Sequence, residues 1–419
     1  MRFTKGTDMK PEIFKAEGMT QIREITYKIF DSFKRIIPQS SDTKIFLKPN
    51  FNANMNALTG NTTDLRLIAA TIQSLKDLGY NHIVIGEGTN SGYYRNNISV
   101  ISRLKVDRLA EYYGVKVVDL NYSEPVDVDF EDGVRASVAR DAAEADFLIN
   151  MPKMKTHFEA GMSACLKNLM GCLVGQENKK KTHKSLARNI IHINERLKPR
   201  LHIVDGIIAM QGLGPTRGVP VNTGLIIAGT DPFLLDLLCA KIAMFDYKKV
   251  TTLKAAETAG FLNQSHHDIV DSMDIAKYQR KFLPPEAGFL ASFIHSPKRQ
   301  KYFLAVRNTL LFNYLCSTEL VGKMLFLSGL RQDNFIKDEM EYEGLAVNDK
   351  LCRKGCTKCH DYCPVGLKLP DQIGEENSAC IECMYCFLVC PTCAIEFRGK
   401  LGFMEEQLRQ YDKITREVT

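Results

Sequence analysis

A chain of 419 residues has room for two or three domains and a large core. Its 45% hydrophobic and 25% charged residues exclude a disordered or fibrous chain. No window offers about 18 consecutive apolar residues for a membrane span, and the opening stretch MRFTKGTDMKPEIFKAEG lacks a signal-peptide core. The expected location is the cytoplasm, where thiols stay reduced and clustered cysteines bind metal more often than they pair.

Residues 1–275 alternate short apolar runs with segments of helical period. That pattern predicts an α/β domain with a mostly parallel sheet and helices on both faces. The expected strands run Lys44 to Pro49, His82 to Gly88, Val115 to Leu120, Asp146 to Met151, Leu201 to Gly206 and Gly224 to Gly229. A helix is expected from Thr63, as its cap, to Gly79.

In such folds ligands sit beyond the carboxyl ends of the strands, and polar residues recur there. The first strand leads into Lys48 and Asn50, the second into Glu87-Gly88-Thr89, and the fourth into Lys153, Lys155 and His157. The fifth ends at Asp205, and the sixth at Asp231 with Asp236 beyond. Each residue taken singly also reads as ordinary turn chemistry or a solvated charge. The loop GEGTNSG, residues 86–92, would suit an anion-holding nest but matches no nucleotide fingerprint.

The stretch from Gln176 to Arg200 holds eight lysines and arginines against two glutamates. Leu186, Ile190, Ile193 and Leu197 fall at helical spacing, so a helix is expected after a basic loop, Lys179 to Lys184. The loop reads equally as a solvated face or as a clamp for an anionic substrate. Without interleaved aromatics or a binding fold, it is not read as a nucleic-acid contact. Residues 276–345 are helical, apolar and basic in pattern, fitting a packed connector better than a membrane-surface patch. The closing residues 401–419 read as a charged surface helix.

Nine of the 13 cysteines lie between Cys352 and Cys393. One run is Cys352-x3-Cys356-x2-Cys359-x3-Cys363-Pro364 and the other Cys380-x2-Cys383-x2-Cys386-x3-Cys390-Pro391, an internal repeat that predicts a small α+β ferredoxin-like domain over 346–400. Three close thiolates followed by a fourth before proline is the spacing with which bacterial-type ferredoxins hold 4Fe-4S cubes, the fourth cysteine serving the other run's cluster. Two 4Fe-4S clusters are therefore expected, one on Cys352, Cys356, Cys359 and Cys390 and one on Cys380, Cys383, Cys386 and Cys363. Zinc, with paired ligands around one tetrahedral ion, fits the triplets poorly. Cys352 is set one residue further from its neighbour, an insertion that Gly355 would absorb. Cys393 has no corner left to bind and reads as a small packed residue.

The runs PKMKTHFEAGMSACLKNLMGCLVG, IVDGIIAMQGLGPTRGVP and AGTDPFLLD, occurring in this order, resemble the domain-of-unknown-function 362 family, some of whose members carry a two-cluster ferredoxin module at the carboxyl end. By that resemblance Lys153, Lys155, His157, Lys167, Asn168, Gly171, His183, Asp205, Gly212, Gly214, Pro215, Asp231 and Asp236 stand at the family's motif positions. The resemblance implies a fold and a cofactor but no reaction.

The residues themselves point to an iron-sulfur oxidoreductase. Lys155, His157 and His183 are the catalytic candidates, the histidines for proton transfer. Lys48, Asn50, Lys153, Lys167, Asn168, Asp205 and Asp231 are the candidates for binding an anionic small molecule. A soluble electron donor or acceptor protein is the expected partner. An electron carrier or metalloenzyme-maturation accessory without its own substrate, and a cluster-based redox sensor, are the alternatives.

Overall fold

The computed structural model describes residues 9–130, 133–285, 309, 335–375 and 379–419. Most of the expected connector, 276–345, lies outside the described residues.

The strands are β1 Glu12–Lys15, β2 Ile45–Pro49, β3 Ile83–Glu87, β4 Lys116–Asp119, β5 Pro125–Asp129, β6 Arg135–Ala139, β7 Phe147–Met151, β8 Lys153–His157, β9 Gly161–Ser163, β10 Leu201–Gln211, β11 Val219–Gly229, β12 Glu341–Val347 and β13 Ile395–Lys400. The main sheet runs β1-β11-β10-β7-β2-β3-β4, with β8 and β9 branching from β10. From β10 to β4 every neighbouring pair is parallel, while β11 is antiparallel to both β10 and β1.

The central strands β2 and β7, IFLKP and FLINM, are buried at every residue. Such uninterrupted runs suit parallel strands covered on both faces. Ile45 and Leu47 face the helices Met19–Ser32, Leu65–Asp77 and Val106–Tyr113, while Phe46 packs on the opposite side against Leu120, Leu148 and Leu169. Around β10 and β11 that second side is covered by the helix Pro232–Ile242, whose apolar residues surround its whole circumference, as a helix sunk in the core requires.

Three local expectations need correction. The helix Leu65–Asp77 is capped by Asp64, not Thr63; the Asp64 carboxylate accepts the Arg66 N–H at 2.9 Å, whereas the Thr63 hydroxyl bonds outward to the Met151 carbonyl. The basic loop at 179–184 is instead mostly the helix Gly175–Thr182, and the expected Leu186–Leu197 helix follows it. The final helix, Met404–Val418, is no free surface element. Met404, Gln407, Tyr411 and Thr415 are buried along one side.

That helix fastens the cysteine segment to the sheet domain. Gln407 accepts the Asn56 N–H at 2.8 Å, and the Tyr411 hydroxyl donates to the Gly218 carbonyl at 2.9 Å. Arg66 completes the junction: wholly buried, it pairs with Asp64 at 2.7 Å and lays its guanidinium over the Tyr362 ring at 3.9 Å. A buried cation stacked in this way contributes about 2 kcal/mol. Side chains of the two segments form one continuous core cluster.

Candidate functional site

The carboxyl ends of β2 and β3 open into a cavity of about 390 Å³, within the range of small-molecule sites. Its walls come from the segment after β2 (Asn50, Asn52), the end of β3 and the loop after it (Glu87 to Asn90), strand β8 (Lys155, His157) and the short helix Cys165–Asn168 (Lys167, Asn168). The helix Gly175–Thr182 closes it with Gln176, Lys179 and Lys180. Five cations line it, Arg95, Lys155, Lys167, Lys179 and Lys180, against one carboxylate, Glu87.

Glu87 is already neutralised. Lys48 sits 2.9 Å from it with both side chains buried, and the Phe51 and Gly88 N–H groups donate to the same carboxylate. Lys48 thus acts beneath the floor and is not among the cavity's lining residues. Gly171 makes that floor possible: a Cβ there would fall 1.8 Å from Glu87 Oε1 and 2.9 Å from Lys48 Nζ. No other residue fits without breaking the pair.

Lys155 is aimed by a chain of amides. Its Nζ donates to Asn50 Oδ1 and to the Asn61 carbonyl, both at 2.8 Å. Asn50 Nδ2 donates to Asn168 Oδ1, Asn168 Nδ2 to Asn150 Oδ1, and Asn150 Nδ2 meets His202 Nδ1. Each amide is oriented by the next, so Asn50 is fixed with its oxygen toward the lysine. Lys179 donates to the Gly88 and Thr89 carbonyls and to Asn121 Oδ1. These are neutral acceptors, leaving the ammonium charge uncancelled by them.

Burial sets the protonation states. It pushes Lys179 down to about 8, with Glu87 and Asp119 opposing, and it lowers Lys167. His157 Nδ1 accepts the Glu159 and Ala160 N–H groups, so the neutral ring carries its proton on Nε2. Burial, then Lys167 and Lys155, holds this histidine well below its usual range. At neutral pH it is a hydrogen-bond donor rather than the group titrating near 7 expected from sequence. His183 stands at the rim, 47% exposed, with Nδ1 3.9 Å from Glu159.

Asn50, Lys155, His157, Lys167, Asn168 and His183 are thus brought together, and Lys48, Lys153, Asp205 and Asp231 are not. Lys153 and Asp205 form a fully buried pair at 2.9 Å, and Asp205 also accepts the Asp64 N–H. Asp231 caps the helix Pro232–Ile242 and contacts His266 at 3.1 Å. Their described partners are other groups of the protein. Arg95 and Gln176 were missed: they stand on the helices Ser91–Arg95 and Gly175–Thr182, not directly at a strand end, and nothing in the sequence marks which helical residues turn to the cavity.

The cysteines sort into two further cavities. One is lined by Cys363, Cys380, Cys383 and Cys386, the other by Cys352, Cys356, Cys359 and Cys390. Each set takes three cysteines from one run and the last from the other. Electrostatics agree with the crossing. Burial drives the Cys383 thiol up with Cys363 among its charged neighbours, and lifts Cys359 to about 11 with Cys356 and Cys390 nearby. Thiols massed out of water resist ionising unless a cation joins them. Backbone N–H groups of Leu367, Glu382 and Ala394 already point at the sulfurs of Cys363, Cys380 and Cys390.

Among the described residues no three His, Cys, Asp or Glu side chains gather as they would around a single ion. A cubane makes no such demand, since each thiolate takes a separate iron corner, and the donor sets fit that group. Gly355 has φ +79°, as the inserted residue required. Cys393 corrects an expectation: it is exposed, not packed, with φ +54° where glycine would be at ease.

These features define an α/β protein with a basic strand-end cavity and a cysteine-rich carboxyl segment compatible with iron-sulfur binding. Residues 45–241 match the model of a family described as Domain of unknown function (DUF362). A thylakoid-associated protein of Synechocystis sp. is 28% identical over 234 residues, 52% of this chain and 68% of that protein. Among solved structures, lactate racemase apoprotein from Thermoanaerobacterium thermosaccharolyticum is similar at 13% identity and a TM-score of 0.33, over 55% of this chain and 56% of that one. A Thermotoga maritima protein is similar at 12% identity and 0.27, over 49% and 55%. The chain spans little over half of either solved chain. No helix among the described residues is long and apolar enough to cross a membrane.

Proposed function

We propose that the chain is an iron-sulfur oxidoreductase that holds two 4Fe-4S clusters and binds an anionic substrate or second cofactor in the basic cavity. The observation that carries this reading is the sorting of eight cysteines into two crossed sets of four, beside a cavity with five cations and a neutralised carboxylate. Clusters of this type supply one-electron transfer. In this reading Lys155, Lys167 and Lys179 attract and orient the anion, and desolvation of the site strengthens each contact. His157 donates a hydrogen bond to the anion from Nε2, and His183, nearer solvent, is the candidate for carrying a proton to or from it.

One segment serves both sites. Residues 50–56 present Asn50 and Asn52 to the basic cavity, and Asn56 Nδ2 then donates to the Cys383 carbonyl at 3.2 Å. This continuity favours an enzyme over a carrier lacking its own substrate.

The test is anaerobic purification, iron and sulfide analysis, and reduction with dithionite followed by a panel of small anionic metabolites. Reoxidation by one of them is the expected result. Full clusters that only a protein partner reoxidises would overturn the enzyme reading in favour of a carrier.

The cavity's pH dependence follows from Lys179. Below about 8 it is an ammonium, and above it a neutral amine. Binding of phosphate or pyrophosphate, followed by calorimetry, is expected to weaken as pH rises through 8, with proton uptake on binding because the anion raises the lysine's pKa. Lys179→Met should bind more weakly at pH 7 and lose that proton uptake.

A further inference from the structure

The two cysteine cavities have different surroundings. The one holding Cys363, Cys380, Cys383 and Cys386 is walled by Leu345, Val365, Leu367, Ile381 and Tyr385, and it faces the sheet domain. There Asn56 reaches the Cys383 carbonyl, and the Tyr385 hydroxyl accepts the Leu65 N–H at 3.1 Å. The cavity holding Cys352, Cys356, Cys359 and Cys390 is lined instead by Arg353, Lys358, Pro391 and Thr392. Around it the chain reads Asp349-Lys350-Leu351-Cys352-Arg353-Lys354, with Lys350, Arg353 and Lys354 exposed and Leu351 47% exposed among them.

We propose that this basic rim, Lys350, Arg353, Lys354 and Lys358 around Leu351, is the docking surface for an acidic one-electron carrier protein. The inference rests on the cluster reading above, because only a redox group in the second cavity gives a carrier reason to dock there.

Three observations argue for a protein carrier. Arg353 and Lys358 line the cysteine cavity and exposed Lys350 and Lys354 lie close to its lining residues in the chain, so an acidic partner bound to them is held close to that site. An exposed leucine flanked in the chain by exposed charged residues supplies the apolar and polar elements of a protein contact. Complementary charge on the rim speeds and orients encounter without demanding tight binding, as a carrier that must leave again requires. A nucleic acid would use aromatic side chains for stacking, and the residues lining this cavity include none.

The probe is flavodoxin, an acidic flavoprotein carrier, titrated against the whole cluster-loaded chain by surface plasmon resonance over a range of salt. The Arg353→Glu, Lys354→Glu double variant is expected to bind on the order of tenfold more weakly at low salt and to show a shallower salt dependence. Its iron content and reduced-state electron paramagnetic resonance spectrum should match the parent's. Unchanged affinity and salt slope would overturn the proposal. So would a loss produced by Lys180→Glu in the basic cavity but not by the rim variant, or a rim variant that loses only an oligonucleotide. Iron analysis reads the cofactor separately: a chain without iron would sink the cluster assignment and the docking proposal with it, whereas an iron-loaded chain whose docking ignores the rim overturns the surface alone.

Discussion

Serine at Cys390 is expected to empty the site built on Cys352, Cys356 and Cys359 while leaving the site of its own run loaded. Iron and acid-labile sulfide should fall from about eight of each per chain to about four. Single variants cannot show which site was lost, because Cys356→Ser should give the same content. Pairs can. In the crossed arrangement Cys356→Ser with Cys390→Ser disables one site twice, so the double variant keeps about four irons. Cys383→Ser with Cys390→Ser disables both sites and should retain almost none.

If each run served its own cluster, these two results would exchange places. The structure favours the crossed outcome on two grounds: the lining of the two cavities, and the neighbours of each thiol, Cys363 beside Cys383 and Cys390 beside Cys359. Cys393→Ala is the control. This residue is exposed and lines neither cavity, so iron content should not change.

The cysteine repeat was legible because its spacing is carried by the chain itself, and the two cavities group the eight cysteines in the sets that this spacing implies. The strands were legible for a similar reason: burial on both faces demands continuous apolar runs, as in IFLKP and FLINM. Charged residues past a strand carry no such signature. Lys153 and Lys155 lie on one strand with the same alternation, yet β8 meets β10 with an irregular register that sets Lys153 beside Asp205 and Lys155 beside Met210. One lysine finds a buried carboxylate and the other a cavity, a difference created by the neighbouring strand. The last helix was misread for another reason. Met404, Tyr411 and Thr415 recur on one side, but the charges between them dilute the apolar stripe, and the hydrogen bonds that bury Gln407 and Tyr411 depend on distant backbone.

That contrast on β8 gives the second large effect. Lys155→Met keeps the apolar stem and removes the ammonium, which donates to Asn50 and Asn61 beside the cavity. A hydrogen bond to a charged group contributes about 1.5–3 kcal/mol, so affinity for the anion should fall by about ten- to a hundredfold, with turnover falling at least as far. Cluster absorbance should be unaltered, since Lys155 lines neither cysteine cavity. Lys153→Met should behave in the opposite way. It leaves Asp205 wholly buried without its lysine, so the carboxyl group is either held charged against burial or takes up a proton, and losing the partner costs about 3–5 kcal/mol of stability. Urea unfolding would register that loss, and any effect on anion binding would follow from it. Wild-type anion affinity and turnover in Lys155→Met would remove this lysine from the site, and with it the strongest link between the cavity and the proposed chemistry.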